Sequence, residues 1–376
     1  MRSDSGAIHV AHVLETLQSG GAEVAVRALA PRLVALGIRT TLVSIYANRL
    51  TPGERASLEA GGVGLMTIGR RGRSDVAFFG RLVAGLRTLR PTIVHGHVHA
   101  GKYAGRAAAI LARVPAILYT AHGESRLDGS DAYSPLERAA NALLNPRTTR
   151  FITFTSAQQR DFARAERVAL ERITVLPNGV PAPIPVDRAA TRAMLGLPSD
   201  ATALYMPARL AAVKGHAVAI DALAALGEEG ARCHLVFAGD GPDGPALRAL
   251  ACERGLEART HWLGYRSDAA SLGSAMDRFL LPSLQERMPL ALGEAMLSSL
   301  AVVTAPWAGS DDFIREGETG YVALDGTPEA FAEALRRADG DPARPEVVER
   351  ARRRATERFD VAAWARAHAA LYRALA

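Results

Sequence analysis

Pro282-Ser283-Leu284-Gln285-Glu286-Arg287-Met288-Pro289-Leu290-Ala291-Leu292-Gly293-Glu294-Ala295-Met296 places two glutamates, separated by seven residues, across the expected start of a helix. Proline suits the first helical position, where a missing backbone donor costs nothing, so the helix is expected to begin at Pro289. Its free N–H groups would then attract an anion, most usefully a diphosphate. Glu286 lies in the approach loop and Glu294 one and a half turns into the helix, about 10 Å away along the chain. A ligand with hydroxyls at both ends and phosphates between them fits that span, because carboxylates accept from hydroxyl pairs. Nucleotide sugars have this layout.

Seventy-two residues upstream stands Lys214, one of two lysines in a chain with 43 arginines. It closes Arg209-Leu210-Ala211-Ala212-Val213-Lys214-Gly215, which follows an apolar run and precedes a helical pattern. Ligands bind at such strand ends in parallel sheets. When a sugar leaves its nucleotide, charge builds on the β-phosphate, and two fixed cations stabilise it without a metal ion. No Asp-x-Asp adjoins these motifs. The expectation is therefore that the chain needs neither a divalent metal nor any other cofactor.

Outward from these motifs, short β-rich runs alternate with helical patterns, the signature of helix-covered parallel sheets. The first half predicts strands over 8–14, 41–46, 63–68, 92–97, 116–120, 151–155 and 173–176, with helices over 22–36 and 76–89. Gly179-Val180-Pro181-Ala182-Pro183-Ile184-Pro185 breaks the rhythm with three alternate prolines, a semi-rigid connector. Beyond it, strands are predicted over 203–207, 233–238, 260–263, 278–281, 301–304 and 321–324. Helices are expected from about Lys214 and over 245–254 and 289–298. The fold class expected is α/β, two Rossmann-like doubly wound parallel-sheet domains facing across a cleft. The first domain would span 1–180 and the second 181–359, with a last helix over 360–376.

At 376 residues the chain has room for two ordinary cores. No apolar run reaches the roughly 18 residues of a membrane span, and the N-terminus does not read as a signal peptide, so a cytoplasmic enzyme is expected. Cys233 and Cys252, in or beside core elements, have neither metal-site nor disulfide spacing. Residues 1–180 carry a net charge of +10 and residues 181–376 one of −4. The basic half suits an anionic acceptor or a peripheral station at the inner membrane face, unless its arginines merely coat solvated helices. Arg70-Arg71-Gly72-Arg73 ahead of Val76–Leu86 offers an interfacial helix as an alternative to a sheet-covering one. No nucleic-acid partner is expected.

The order of Gly20-Gly21-Ala22-Glu23, His95-Gly96-His97, Thr120-Ala121-His122-Gly123, Pro177-Asn178-Gly179-Val180, Ala208-Arg209-Leu210 with Lys214-Gly215, Gly239-Asp240-Gly241-Pro242, Leu263-Gly264 and the glutamate motif resembles the retaining GT-B glycosyltransferases of family 4. The resemblance runs nearly the whole chain. It implies transfer of a sugar, with retention, from a nucleotide-diphosphate donor to a hydroxyl of a saccharide, lipid-linked or small-molecule acceptor. UDP-sugar ranks ahead of GDP-mannose as donor. By the same resemblance the first domain is the acceptor domain and the second the donor domain, the last helix returns to the first domain, Glu294 binds the donor ribose and Glu286 lies near the donor sugar. Arg209 and Lys214 clamp the diphosphate, aided by the Met288 and Leu290 amides. His122 contacts the transferred sugar, and Gly20 and Gly21 let backbone approach the substrates. The alternating His95, His97 and His99 suggest a metal, but no nearby cysteine or carboxylate completes a site. After Glu294 the chain departs from the family, with Ser298-Ser299-Leu300-Ala301 and Ala308-Gly309-Ser310-Asp311-Asp312 where a Cys-Gly-x-Pro-like turn and a paired-glycine loop with a glutamate are usual. A sugar-nucleotide epimerase or hydrolase of the same fold, or a catalytically silent relative, are the alternatives.

Overall fold

A computed structural model describes residues 8–17, 20–47, 50–72, 74–122 and 133–376. Arg73 and residues 123–132, Gly123 of the Thr120–Gly123 motif among them, lie outside the described residues. The chain forms two compact units, Met1–Gly179 with Val361–Ala376, and Val180–Asp360.

The N-terminal unit is built on seven strands, β1 (His9–Leu14), β2 (Arg39–Ser44), β3 (Gly64–Thr67), β4 (Ile93–His97), β5 (Ala116–Thr120), β6 (Arg150–Thr153) and β7 (Ile173–Val175). Their order is β3-β2-β1-β4-β5-β6-β7, and every pairing is parallel. Every residue of β1, β4 and β5 is buried. Helices cover both faces of such a sheet, so these strands read as continuous rather than alternating apolar runs. The order reverses between β1 and β4, which puts a topological switch point at the carboxyl ends of those strands.

The C-terminal unit repeats the plan with β8 (Thr202–Met206), β9 (Cys233–Phe237), β10 (Thr260–Trp262), β11 (Arg278–Leu281), β12 (Ala301–Thr304) and β13 (Tyr321–Val322), in the order β10-β9-β8-β11-β12-β13. Here the switch point lies between β8 and β11. Leu204, Met206, Leu235, Phe237, Leu280 and Val303 from the central strands share one core with Ile220, Leu223, Phe331 and Leu335 from the covering helices.

Two helix starts fall one or two residues later than expected. Pro289 caps the helix Leu290–Leu297 from outside instead of opening it, with extended backbone (ψ 113°). The helix expected from Lys214 starts at His216, after a short 3-10 turn at Ala212–Lys214. Cys233 is buried, whereas Cys252 is exposed. The helix Ala77–Leu89 buries Leu82, Val83 and Leu86 against the sheet, while Phe78 and Phe79 pack partly on the same core. Among the described residues no helix is long and apolar enough to cross a membrane.

The helix Val361–Leu375 packs on Gly21–Ala35 within the N-terminal unit. Its buried face repeats every fourth residue, Trp364, His368 and Tyr372, one stripe of a 3.6-residue helix. Gly179 makes room for it, since a Cβ there would stand 2.6 Å from the Val361 backbone and 2.8 Å from the Trp364 ring. On the same unit, the ammonium of Lys102 is fully buried in contact with Glu166 (2.7 Å) and the Tyr133 hydroxyl (2.8 Å). Arg106, equally buried, spans Asn145 and Thr148. Neither network is visible in motif spacing.

Candidate active site

In the C-terminal unit, Arg209 follows β8 by three residues and Glu286 follows β11 by five, so both leave the sheet at the switch point. The loop between Arg209 and Gly215 is tied to the exit of β11 by a Leu284 N–H to Val213 C=O hydrogen bond (2.9 Å). It is tied to the exit of β9 by a Leu210 N–H to Asp240 C=O bond (3.0 Å). Gly215 completes the fit. Its φ is +75°, and a Cβ would lie 2.0 Å from the Pro282 carbonyl oxygen. Only glycine takes that conformation at so close an approach. The result is a contact between residues 72 positions apart, Lys214 Nζ to Glu286 Oε1 at 2.7 Å. The Glu286 side chain is 8% exposed and that of Lys214 28%, so the carboxylate is sheltered while the ammonium still reaches solvent.

Gly215→Ala is expected to lower stability by more than about 1 kcal/mol, the scale of a strained backbone position. It should also reduce turnover by displacing Lys214. Equal melting temperature and turnover in the variant would show that the loop tolerates a side chain there.

Arg209 is exposed and makes no hydrogen bond or ion pair among the described residues, which leaves all its donors available. Met288 is buried, and Leu290 opens the helix, where the first amides have no intrahelical acceptor. Glu294 faces a small apolar pocket lined by Tyr205, Pro207, Ala269, Phe279 and Leu300. Burial pushes its carboxyl up to about 7. No hydrogen-bond partner holds that carboxyl among the described residues. The structure thus joins Lys214 to Glu286 directly, and sets Glu294 apart in its own pocket on the following helix.

Asp339-Gly340-Asp341 is an Asp-x-Asp that the metal-free reading of the motifs passed over. It ends the helix Pro328–Gly340, where Asp339 pairs with Arg278 (2.5 Å) and Asp341 accepts from the Tyr321 hydroxyl (2.7 Å). Both carboxylates are already engaged. Asp312 lies in a short turn after Gly309 and comes within 3.9 Å of Arg358.

In the N-terminal unit, His122 follows β5 by two residues and joins a buried histidine cluster. His12 Nδ1 lies 2.9 Å from His97 Nε2, and His97 Nδ1 lies 2.9 Å from His122 Nε2. The sheet register explains the cluster: His12 pairs with His95 across β1 and β4, and His97 with Thr120 across β4 and β5. His95 is held on both sides, by the Tyr372 hydroxyl and by Thr120 Oγ1, each at 2.7 Å. Desolvation lowers every one of these imidazoles, His12 and His122 to about 3 and His368 to about 4. They are neutral at physiological pH.

The strand-edge trio of His95, His97 and His99 does not form. The strand ends at His97, and His99 is exposed against Tyr103. His12 takes its place, bringing ring nitrogens of His12, His95 and His97 within 4.8 Å of one another. The sequence did offer a signal for His12, the second of two histidines inside a largely apolar strand. His122 also lines a pocket with Ala25, Leu29, Asn178, Trp364 and His368. Gly20 and Gly21 begin the helix Gly21–Ala35 of this unit. A Cβ at Gly20 would meet only the flexible Glu23 side chain, so no fixed neighbour demands glycine there.

The description "Glycosyltransferase Family 4" matches residues 19–182, and "Glycosyl transferases group 1" matches residues 201–341. The chain thus carries a family 4 glycosyltransferase domain followed by a group 1 glycosyl transferase domain. HepE from Anabaena, solved in complex with UDP-glucose, superposes with a TM-score of 0.84 at 21% identity, covering 98% of this chain and 100% of that one. The fold is therefore GT-B. D-inositol 3-phosphate glycosyltransferase of Mycobacterium leprae is 29% identical over 259 residues, 65% of this chain and 59% of that enzyme. Alpha-D-kanosaminyltransferase of Streptomyces kanamyceticus is 34% identical over 157 residues, 41% of this chain and 40% of that one. These matches span less than two thirds of either enzyme's length. The chain is a glycosyltransferase and hence an enzyme of the transferase class.

Proposed function

We propose that this glycosyltransferase moves a sugar from a nucleotide-diphosphate donor to a hydroxyl acceptor with retention at the anomeric carbon, and that UDP-sugar is preferred over GDP-mannose. The observation that carries the reading is the contact of Lys214 with Glu286 at the switch point of the C-terminal sheet, with Arg209, unpaired among the described residues, on the same strand-exit loop as Lys214. An ammonium has three donors, and Glu286 uses one. Two remain for phosphate oxygens, while Arg209 adds a planar fork suited to the same group. As the glycosidic bond breaks, these cations take up the charge growing on the β-phosphate, assisted by the Met288 and Leu290 amides. No divalent metal or other cofactor enters this scheme, in keeping with the engagement of Asp339 and Asp341 elsewhere. Glu286, with its second oxygen, accepts from a hydroxyl of the sugar.

Glu294 accepts from the donor ribose. His122 hydrogen-bonds a sugar hydroxyl from the N-terminal unit. HepE, with UDP-glucose bound, favours a uridine donor. The +10 charge of residues 1–180 favours an anionic acceptor, lipid-linked or small, and a peripheral station at the inner membrane face for the former.

The test is calorimetric titration with UDP, GDP and ADP, followed by assay with the sugar of the tightest binder in the presence of a chelator. Binding of UDP, retained activity with chelator and an α-configured product from an α-configured donor are expected. Failure to bind any nucleoside diphosphate overturns the proposal. Free sugar or an isomerised donor as the main product would instead make the protein a hydrolase or epimerase.

Glu294 supplies a second check. Because its carboxyl ionises only near pH 7, UDP-glucose, whose own phosphates do not titrate there, should bind about tenfold more weakly at pH 6 than at pH 8. Glu294→Gln should flatten that profile, and a flat wild-type profile would remove Glu294 from the ribose site.

A further inference from the structure

His12, His97 and His122 form an unbroken chain of ring-to-ring hydrogen bonds, each link 2.9 Å, from the centre of the N-terminal sheet to its carboxyl edge. All three rings are buried or nearly so, and burial keeps them neutral, so each carries one proton and one bare nitrogen. Two proton arrangements satisfy both links. In one, every ring is protonated on Nδ1, and His122 presents Nδ1–H outward. In the other, every ring is protonated on Nε2, and His122 presents a bare nitrogen.

The far end of the chain decides between them. His12 Nε2 is buried with no hydrogen-bond partner. A buried N–H without an acceptor is the rarer orphan in folded proteins, so the bare nitrogen belongs there. His12 Nδ1–H then donates to His97, and His97 Nδ1–H donates to His122 Nε2. The one ring nitrogen left over, His122 Nδ1, has no partner among the described residues and is absent from the buried orphan atoms.

We propose that His12 and His97 are positioning residues that lock His122 into its Nδ1–H tautomer, so that His122 offers a substrate oxygen a fixed donor. The inference rests on the assignment of His122 to the substrate. The surrounding frame supports it. His97 ends β4 next to Val98, a β-branched residue held at φ +47°, and Gly96 packs so tightly on Gly101 that a Cβ would lie 2.5 Å from its carbonyl oxygen. With that backbone fixed, hydrogen bonds at both ring nitrogens hold the His97 ring in place. Fixing the donor in advance spares the enzyme a tautomer change during the reaction.

Nitrogen-15 correlation spectra of the histidine side chains test this on the unliganded wild-type protein, without any variant or assay. His12, His97 and His122 are expected in one tautomer, all protonated on Nδ1. Protonation of His122 on Nε2, or a mixture at that ring, overturns the proposal. So would a stoichiometric metal ion in the purified protein, because a metal held by His12, His95 and His97 would consume the nitrogens that form the chain.

Two variants then separate positioning from folding. In His97→Asn the amide N–H stands where Nδ1–H stood, so the His122 tautomer should persist and most turnover should return. In His97→Leu the donor is gone, His122 should become a tautomer mixture, and kcat should fall about tenfold, the scale of one hydrogen bond, with KM little changed. If His97→Leu leaves both the His122 spectrum and kcat as in wild type, the positioning role fails. His122→Ala is the separate control: full turnover there would remove His122 from the substrate while leaving the wild-type spectra to decide the chain.

Discussion

Lys214→Ala is expected to lower kcat/KM by about 10²–10³-fold, the scale on which a preorganised donor to a developing oxyanion contributes. The alternative cause of a loss would be structural, and magnitudes separate the two. A partly exposed ion pair such as Lys214 with Glu286 contributes about 1 kcal/mol or less to stability, whereas the expected catalytic loss corresponds to about 2.7–4 kcal/mol. The melting temperature should therefore move little while turnover collapses. UDP affinity should weaken as well, because the clamp acts on ground-state phosphate charge too. Lys214→Arg should not rescue, since a planar fork cannot reproduce a point charge seated between a carboxylate and a phosphate. Glu286→Gln removes the acceptor but keeps the shape, and should cost more in turnover than in nucleotide affinity. Wild-type UDP affinity and turnover in Lys214→Ala would detach the lysine from the diphosphate and with it the leaving-group role.

The proximity of Lys214 to Glu286 was legible because each residue sits a few positions past a buried parallel strand. Strands covered on both faces show as apolar runs, and the runs ending at Met206 and Leu281 are among the clearest in the chain. Two other kinds of feature escaped. The helices Pro328–Gly340 and Arg344–Arg358 bury largely alanine, namely Ala332, Ala334 and Ala338 in one and Ala351 and Ala355 in the other. A stripe of methyl groups among many arginines gives a weak periodic signal. His12 and His368 were missed for a different reason. Their partnership with His95, His97 and Tyr372 depends on strand register and on a helix that returns from the far end of the chain, information that no local window contains. Pro289 shows the limit at a boundary: proline is tolerated both just inside and just outside a helix start, and only the backbone angles choose.

Acidification is expected to unfold the N-terminal unit before the C-terminal one. His12, His95, His97, His122 and His368 all have folded-state values far below the ordinary 6.5, chiefly through desolvation. A group of this kind stays unprotonated in the folded protein while the unfolded chain takes up its proton. Stability is therefore whole above pH 6.5 and is lost as pH falls below it, towards the folded values, about 3 for His12 and His122 and about 4 for His368. Each such histidine removes up to about 1.4 kcal/mol per pH unit in that window. Five acting together remove about 7 kcal/mol per unit, and His9 of β1, lowered by burial to about 4, adds to this loss, against a typical domain stability of about 5–15 kcal/mol. The N-terminal unit should therefore be lost between about pH 5.8 and about pH 4.4. In the C-terminal unit only His216 is comparably displaced, to about 4, so that unit should survive to lower pH. Scanning calorimetry with hydrogen exchange resolved by unit should show one transition moving steeply downward between pH 7 and 5, carried by residues of β1, β4 and β5. His368→Gln, which removes one buried imidazole, should make that slope shallower. A melting temperature for the N-terminal unit that stays constant to pH 4.5 would mean that protons enter the cluster without unfolding it, and that the five rings are not held neutral by burial.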